Sequence, residues 1–275
     1  MGGRITFILL IIISGCAVLK KNPTKGNPPG TVQINDTLYI DQTEIANVHW
    51  REYIYYLSRF DSTNLYKALP DSLVWRDSII YNEPLVEYYF RHPSFNNYPA
   101  VGISYEQAVE FCKWRTFVVN LGAYMDENKL HNFEEHLKDS FPIKILYRLP
   151  TKEEWEMIAA GNLSVSEYPY GCKDVYKKWR GKMQPVFNCI FPGTKIKVPT
   201  LDDEAIYTAD VKAYYPNSYH TYNMIGNVAE MISDKGIAKG GSFIDKLDSC
   251  KITVDKLYDG PQAWLGFRCV AVKVE

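Results

Sequence analysis

The stretch at residues 239–251, KGGSFIDKLDSCK, brings together side chains that can do chemistry. Ser242 and Cys250 carry a hydroxyl and a thiol, and Asp245 lies between them in the sequence. A thiolate is a nucleophile and a soft metal ligand, whereas a carboxylate is a hard oxygen ligand. The pattern therefore raises the question of whether Cys250 works in an oxidative site or is an ordinary buried residue.

The other cysteines narrow the choice of site. The chain has six cysteines, and one of them, Cys16, belongs to the N-terminal leader. The remaining five are Cys112, Cys172, Cys189, Cys250 and Cys269. Their number is odd and no C-x-x-C pair occurs, so neither a zinc knuckle nor a thioredoxin-type site is indicated. A Cys172–Cys189 disulfide is compatible with an oxidising compartment, but the spacing does not assign the pairing.

Composition excludes several classes of protein. The 275 residues allow one large domain or two small ones, and 46% hydrophobic with 23% charged residues is ordinary for a protein that buries a core. The formal net charge is −1, so we expect no nucleic-acid partner. The 21 tyrosines fit either an irregular core or a binding surface.

The N-terminus has the pattern of an export signal. Arg4 precedes an apolar run at residues 5–13, which is much shorter than the ~20 residues that span a bilayer. The ending ISGC at residues 13–16 resembles a bacterial lipobox, which implies cleavage after residue 15 and lipid attachment to Cys16. A plain secretion signal is the alternative. By analogy with known sorting patterns, Ala17 in place of an aspartate favours the outer membrane, with the anchored protein on its periplasmic face.

The rest of the chain divides simply. Residues 16–33, rich in lysine, proline and glycine, predict a flexible tether, and residues 34–275 predict one continuous domain. A strand is expected at residues 38–40, followed by three amphipathic helices. Their caps are Asn47, the pair Ser104 and Gln107, and the pair Thr151 and Glu154. Beyond Gly161 the helical period almost disappears, which predicts an α+β domain with much irregular loop.

Several motifs also have roles that follow from physical chemistry alone. Trp155, one turn into the third helix, is expected to fill the core. Arg148, just before that helix, can pair with a buried carboxylate or with a row of carbonyls. Arg268, in a final apolar strand, is expected to be a buried guanidinium that donates several hydrogen bonds.

Five segments in a fixed order carry a family resemblance. They are TEIANVHWREYIYYL (43–57), YPAVGISYEQAVEFCKW (98–114), YRLPTKEEWE (147–156), NMIGNVAEMISD (223–234) with KGGSF (239–243), and LGFRCV (265–270). Together they resemble the sulfatase-modifying-factor family, whose founder is the formylglycine-generating enzyme. The resemblance covers about residues 38–272 and implies that family's fold, which is similar to C-type-lectin-like domains.

The resemblance implies structural calcium. One family site corresponds to the run NMIGNVAE, which implies side-chain ligands from Asn223 and Glu230 and carbonyl ligands from Gly226 and Val228. A second site implies Asn188, Cys189, Asp203 and Ala205. Calcium takes six to eight oxygen ligands of these kinds, so bound ions would hold loops that lack a strand ladder.

The same resemblance argues against the family's copper chemistry. Two thiolates hold Cu(I) in the family, and the first lies three residues after GGS, where this chain has Asp245. Cys250 occupies the second position. Ala229, Met231 and Trp264 replace further family residues. Only Ser242 and Cys250 remain of the reactive cluster, so copper is not expected and Cys250 is expected to be an ordinary buried residue.

Two functional hypotheses follow. In the first, the chain resembles the gliding-motility and type IX secretion lipoproteins of Bacteroidetes, which implies a non-catalytic, membrane-anchored component that binds cell-envelope proteins. The Tyr-rich segments at residues 53–60 and 83–99 would then contact partners, or pack against their own domain. In the second, the chain is a divergent formylglycine-generating oxidase that modifies cysteine in exported proteins.

Overall fold

The computed structural model describes residues 26–76, 82–193 and 207–274. A four-stranded antiparallel sheet in the order β1-β2-β10-β3 joins the two ends of the domain. Its strands are β1 (Thr31–Gln33), β2 (Leu38–Asp41), β3 (Ile145–Arg148) and β10 (Val270–Lys273). Because β1 pairs with β2, the folded domain begins by residue 31, inside the segment that the sequence assigned to the tether.

The α-helices in the described residues lie mainly in the first part of the domain. They are α1 (Asn47–Phe60), α2 (Ser62–Leu65), α3 (Glu83–Tyr88), α4 (Tyr105–Asn128) and α5 (Lys152–Ala160). Short 3-10 turns occur at Tyr66–Ala68, Ser72–Trp75, Pro93–Phe95, Phe133–His136 and Leu247–Cys250. The change from helices to irregular chain after Gly161 agrees with the pattern expected from the sequence.

Two of the three predicted helix caps are confirmed. The side chains of Ser104 and Thr151 accept hydrogen bonds from the backbone N–H three residues later, and α4 and α5 both have the complete capping box. The third was wrong, because Ala46 is the N-cap of α1. The Asn47 amide instead donates to the carbonyls of Tyr89 and Phe95, tying α1 to a distant segment.

A second sheet carries the motifs of the C-terminal part. Its order is β8-β7-β6-β9, and β6 and β9 run parallel. The strands are β6 (Ala229–Met231), β7 (Ile237–Lys239), β8 (Lys256–Leu257) and β9 (Leu265–Gly266). A separate hairpin joins β4 (Tyr176–Trp179) to β5 (Lys182–Pro185). The short strands leave long loops whose backbone depends on side-chain contacts.

Large aromatic residues fill the core. Trp50 of α1 stacks on Phe111 of α4 with ring centroids 5.3 Å apart, and Phe267 meets Trp50 edge-on at 5.9 Å. Trp155 of α5 is fully buried in a second hydrophobic cluster, as expected from the sequence. Within the described ranges, every helix is too short or too polar to cross a membrane.

Candidate functional site

The end of β7 and the loop after it hold the residues that could do chemistry. Lys239 is completely buried, and its Nζ donates to Glu156 Oε1 at 2.6 Å and to Asp255 Oδ1 at 2.8 Å. Gly240 and Gly241 follow with φ of +87° and +65°. A Cβ at Gly241 would lie 2.4 Å from Cys250 Sγ, so the double glycine lets the loop fold back over that thiol.

A hydroxyl, a carboxylate and an amine meet in this loop. Ser242 Oγ donates to Asp245 Oδ2 at 2.5 Å, and Lys256 Nζ from β8 pairs with the same carboxylate. Lys256 also lies 3.8 Å above the ring of Trp264, in cation–π contact. The Asp245 and Lys256 side chains are 17% and 19% exposed. The position where the resemblance implies a metal-binding thiolate therefore holds one half of an ion pair.

Cys250 has a second thiol as its neighbour. Cys250 is fully buried in the hydrophobic cluster that contains Trp155, and the half-buried Cys189 packs against that cluster. A hydrogen bond with the Cys250 thiol is the main factor that raises the pKa of Cys189 far above its ordinary value; burial and the Asp245 carboxylate add to it. A high pKa keeps Cys189 in its neutral form. The spacing of the cysteines did not predict this contact.

A parallel β-bridge places these two thiols together. Ile190 pairs with Lys246, with its N–H 2.8 Å from the Asp245 carbonyl, and its own carbonyl accepts from Leu247 at 2.9 Å. Cys172 is not part of this arrangement, since its Sγ donates to the Asp174 carbonyl at 3.4 Å. A separate buried pair, Cys112 and Cys269, has its sulfurs 3.5 Å apart. All five of these cysteines are free thiols.

A buried ion pair connects the two sheets. Arg268 donates to Glu230 through Nε at 2.7 Å and Nη2 at 2.6 Å, and the exposures of the two side chains are 0% and 1%. Trp155 Nε1 donates to the same carboxylate at 2.7 Å. Arg268 also donates to the carbonyls of Asp41 and Tyr222. This is the buried, multiply bonded arginine expected from the sequence.

A further carboxylate in the same region has no arginine bound directly. Glu44 is completely buried, and its oxygens accept from Asn227 Nδ2 at 2.8 Å and from Asn223 Nδ2 at 3.3 Å. Burial raises its pKa from 4.5 to about 8; the charge of Glu230 adds to the rise, and that of Arg268 opposes it. Amide donors stabilise a carboxylate less than a paired cation does, so Glu44 holds its proton near neutral pH.

Asp41 and Arg115 extend this group toward the first sheet. Arg115 forms a two-point contact with Asp41 at 2.7 Å, and Asp41 also accepts from the backbone N–H of Cys269 at 2.9 Å. Sequence reasoning did not single out Asp41, Glu44, Arg115 or Lys256. The signal for the first two was acidic residues at the end of an apolar strand, in YIDQTE.

The run NMIGNVAE, residues 223–230, contains three residues with a left-handed backbone conformation. Asn223, Gly226 and Asn227 have φ of 51°, 76° and 62°, a left-handed conformation that glycine and asparagine tolerate best. A Cβ at Gly226 would lie 2.6 Å from the Asn188 carbonyl oxygen. The motif therefore specifies a tight backbone path, whatever it binds.

The donor groups of the predicted first calcium site are engaged with protein. Both Glu230 oxygens accept from Arg268 or Trp155, and the Asn223 amide donates to Glu44. In the parts of the chain that the structure describes, no three His, Cys, Asp or Glu side chains are grouped around one point; the predicted site has one carboxylate and relies otherwise on amide and carbonyl oxygens. Calcium at Asn223, Gly226, Val228 and Glu230 stays a prediction, and it requires Glu230 to exchange protein donors for the ion.

Only half of the second predicted calcium set can be placed. Asn188 Nδ2 donates to the Tyr207 carbonyl at 2.8 Å and to Asn227 Oδ1 at 3.2 Å, so its amide braces the turn at residues 223–227. Cys189 follows it beside Cys250. Asp203 and Ala205 lie outside the described residues, as do Cys16 and the leader.

Comparison with known proteins shows which family this chain is similar to. The profile of the sulfatase-modifying factor enzyme 1-like domain matches residues 8–273. A formylglycine-generating enzyme of Thermomonospora curvata is 31% identical over 45% of this chain and 49% of its own length. An inactive C-alpha-formylglycine-generating enzyme 2 of Bos taurus is 26% identical over 63% of this chain and 50% of its own. The chain thus matches about half the length of each of these two relatives.

Among solved structures, the crystal structure of CarF aligns with a TM-score of 0.48 at 18% identity, covering 90% of this chain and 96% of that one.

Proposed function

Since the chain belongs to the sulfatase-modifying factor enzyme 1-like family, we propose that it is a member that binds other proteins and has no oxidase activity of its own. One observation carries the proposal: Asp245 stands at the first thiolate position and is held there by Ser242 and Lys256. A carboxylate is a hard ligand and this one already has a cation. It therefore cannot replace the lost thiolate as a ligand for Cu(I).

The sequence of the leader supports a place in the cell envelope. We propose that Cys16 carries lipid and anchors the chain to the outer membrane on its periplasmic face, with the following residues as a tether. In this position the domain would act as a structural component of an envelope assembly of the gliding or secretion kind. If Cys16 is lipidated, substitution of that residue should release the protein into the soluble fraction.

A cleft between α1 and α4 offers a contact surface for such a partner. It encloses about 890 Å³, and Tyr53, Tyr56, Trp114 and Phe117 line it. The Tyr-rich segments contribute unevenly: Tyr55 and Tyr88 are exposed, whereas Tyr53 and Tyr89 are buried.

The binding proposal is tested with a charge reversal at the edge of this cleft. Glu110 lines the cleft, and it pairs with Lys113 on the exposed face of α4. Purification of the tagged, membrane-extracted chain should recover a stoichiometric envelope partner that is lost in Glu110→Lys. Glu127→Lys is the matched control, because Glu127 is exposed, lies on the same helix and pairs with Lys144. Equal recovery with both variants would remove the cleft from the proposal.

The second hypothesis, a divergent oxidase, is favoured by one observation: Cys189 supplies a second sulfur beside Cys250. The two functions differ in a direct assay. The reduced chain, supplied with Cu(I), oxygen and a cysteine-containing peptide, should leave the peptide unchanged. Aldehyde formation that disappears in Cys250→Ser would support the oxidase and overturn our proposal.

A further inference from the structure

Cys189 and Cys250 lie on two segments of the chain that meet in one buried cluster. The two residues are brought together by the bridge between Ile190 and Lys246, which is fixed by two backbone hydrogen bonds of 2.8 and 2.9 Å. Cys250 is locked in place, since its Sγ donates to the Lys246 carbonyl at 3.6 Å and Gly241 covers it. Cys189 is the more accessible of the two, being half-buried.

The surroundings of this pair favour a neutral product. Cys250 belongs to an apolar cluster that includes Trp155, Ile225 and Ile252, and Phe187 packs against that cluster. The Asp245 carboxylate helps to raise the pKa of Cys189, and the two thiols in turn help to raise the pKa values of Tyr214 and Tyr170. Two thiolates on a monovalent metal would add negative charge beside Asp245, whereas a disulfide adds none.

We propose that Cys189 and Cys250 form an oxidisable pair that closes to a disulfide and fastens the segment at residues 189–191 to the loop at residues 245–250. The oxidant is a disulfide, either of a small thiol or of a protein partner. Cys189 attacks first because it is the more accessible thiol: in the minor fraction that has lost its proton, its sulfur attacks that disulfide and releases one thiol. The Cys250 sulfur then attacks Cys189, releases the second thiol and completes the cross-link.

This cross-link changes what the loop can do. It consumes the one thiol that remains at a family active-site position, so the oxidised chain has no free thiol there. It also joins two segments that otherwise meet through one β-bridge. The inference does not depend on the proposed binding function, because a chain that fails to bind a partner can still form this disulfide.

The test maps disulfides in the folded full-length chain. The protein is equilibrated in glutathione buffers of increasing oxidised fraction, blocked by alkylation and digested with trypsin without reduction. Cleavage after Lys182, Lys195, Lys246 and Lys251 puts the two cysteines on separate peptides. We expect a cross-linked peptide joining Cys189 to Cys250. Full alkylation of both residues in the most oxidising buffer, or a Cys189–Cys172 link, would overturn the proposal.

Two variants make the result specific. Cys172→Ser removes a half-buried thiol outside the pair and should leave the cross-link unchanged. Cys189→Ser should abolish it and leave Cys250 reduced. If Cys189→Ser does not fold, the disulfide map of the Cys172→Ser chain still tests the proposal. In that chain Cys189 can no longer pair with Cys172, the cysteine nearest to it in the sequence.

Discussion

The two charged clusters of this domain differ in how firmly the fold holds them. The pair of Glu230 and Arg268 is at most 1% exposed and ties β6 to the end of β2 at Asp41 and to the loop at Tyr222. The Asp245–Lys256 pair is 17–19% exposed and joins one loop to the adjacent β8. The first cluster supports the whole domain, whereas the second can change its chemistry while the domain stays folded. Family membership therefore fixes the fold of this chain without fixing its activity.

The largest effect should come from breaking the buried pair. Arg268→Met leaves the Glu230 carboxylate buried without its cation, which costs about 3–5 kcal/mol of unfolding free energy. Urea unfolding followed by tryptophan fluorescence measures the loss. Lys113→Met, which breaks an exposed pair on α4, should leave the midpoint unchanged. Equal midpoints for Arg268→Met and the parent chain would remove the distinction between the clusters.

The buried cluster should also show a pH dependence that comes from Glu44. Its pKa is about 8 in the folded chain and near 4.5 when unfolded, so only the unfolded state releases this proton between those values. The contribution of Glu44 to stability should therefore fall as pH rises from 4.5 to 8 and level off above 8. Glu44→Gln removes this contribution and should exceed the parent by roughly 1–3 kcal/mol at pH 8.

Other titrating groups contribute a pH dependence that the parent and the Glu44→Gln chain share. Glu52, whose pKa burial raises to about 7, acts in the same direction as Glu44 in both chains, and His49, whose pKa burial lowers from 6.5 to about 4, acts in the opposite direction in both. Arg268, Glu230, Asn223 and Asn227 also surround Glu44 in both. The informative quantity is therefore the difference between the two stability curves. A difference that stays constant from pH 5 to pH 8 would show that Glu44 is ionised in the folded protein.

A smaller effect is expected in the loop that holds Ser242 and Asp245. Asp245→Asn keeps an oxygen for Ser242 but removes the charge that holds Lys256, which should cost about 1 kcal/mol. Combining it with Lys256→Met should recover part of that loss, and a double-mutant cycle measures the coupling. A loss as large as that of Arg268→Met would mean that the loop supports the domain as firmly as the buried pair does.

The smallest effect concerns calcium at residues 223–230. Since Glu230 already has protein donors, added calcium should raise the melting temperature by no more than a few degrees. Glu230→Gln should abolish that shift, whereas Asp234→Asn, three residues past β6, should keep it. A large shift that survives Glu230→Gln would place the ion elsewhere.

Local features of this structure were predictable from sequence, and long-range partners were not. The capping boxes of α4 and α5 depend on residues three apart, and the burial of Trp155 and Arg268 followed from their apolar contexts. Asn47 was misassigned because its partners, Tyr89 and Phe95, lie more than 40 residues away.

The same limit applied to the candidate site. Glu44 meets Asn223 across 179 positions, and Lys256 reaches Asp245 only because β7 and β8 pair. Motif spacing located Asp245 and Cys250, but the groups that now surround them depend on the tertiary fold.

The most direct test of the account is a Cu(I) titration of the full chain against a competing chelator. We predict no stoichiometric site that withstands the competitor, with or without prior reduction, because Asp245 and its bound Lys256 occupy the place of the first thiolate. Asp245→Cys, which returns a thiol to that position, should gain affinity and serves as the positive control. One tight equivalent in the parent chain, lost in Cys250→Ser, would contradict the account.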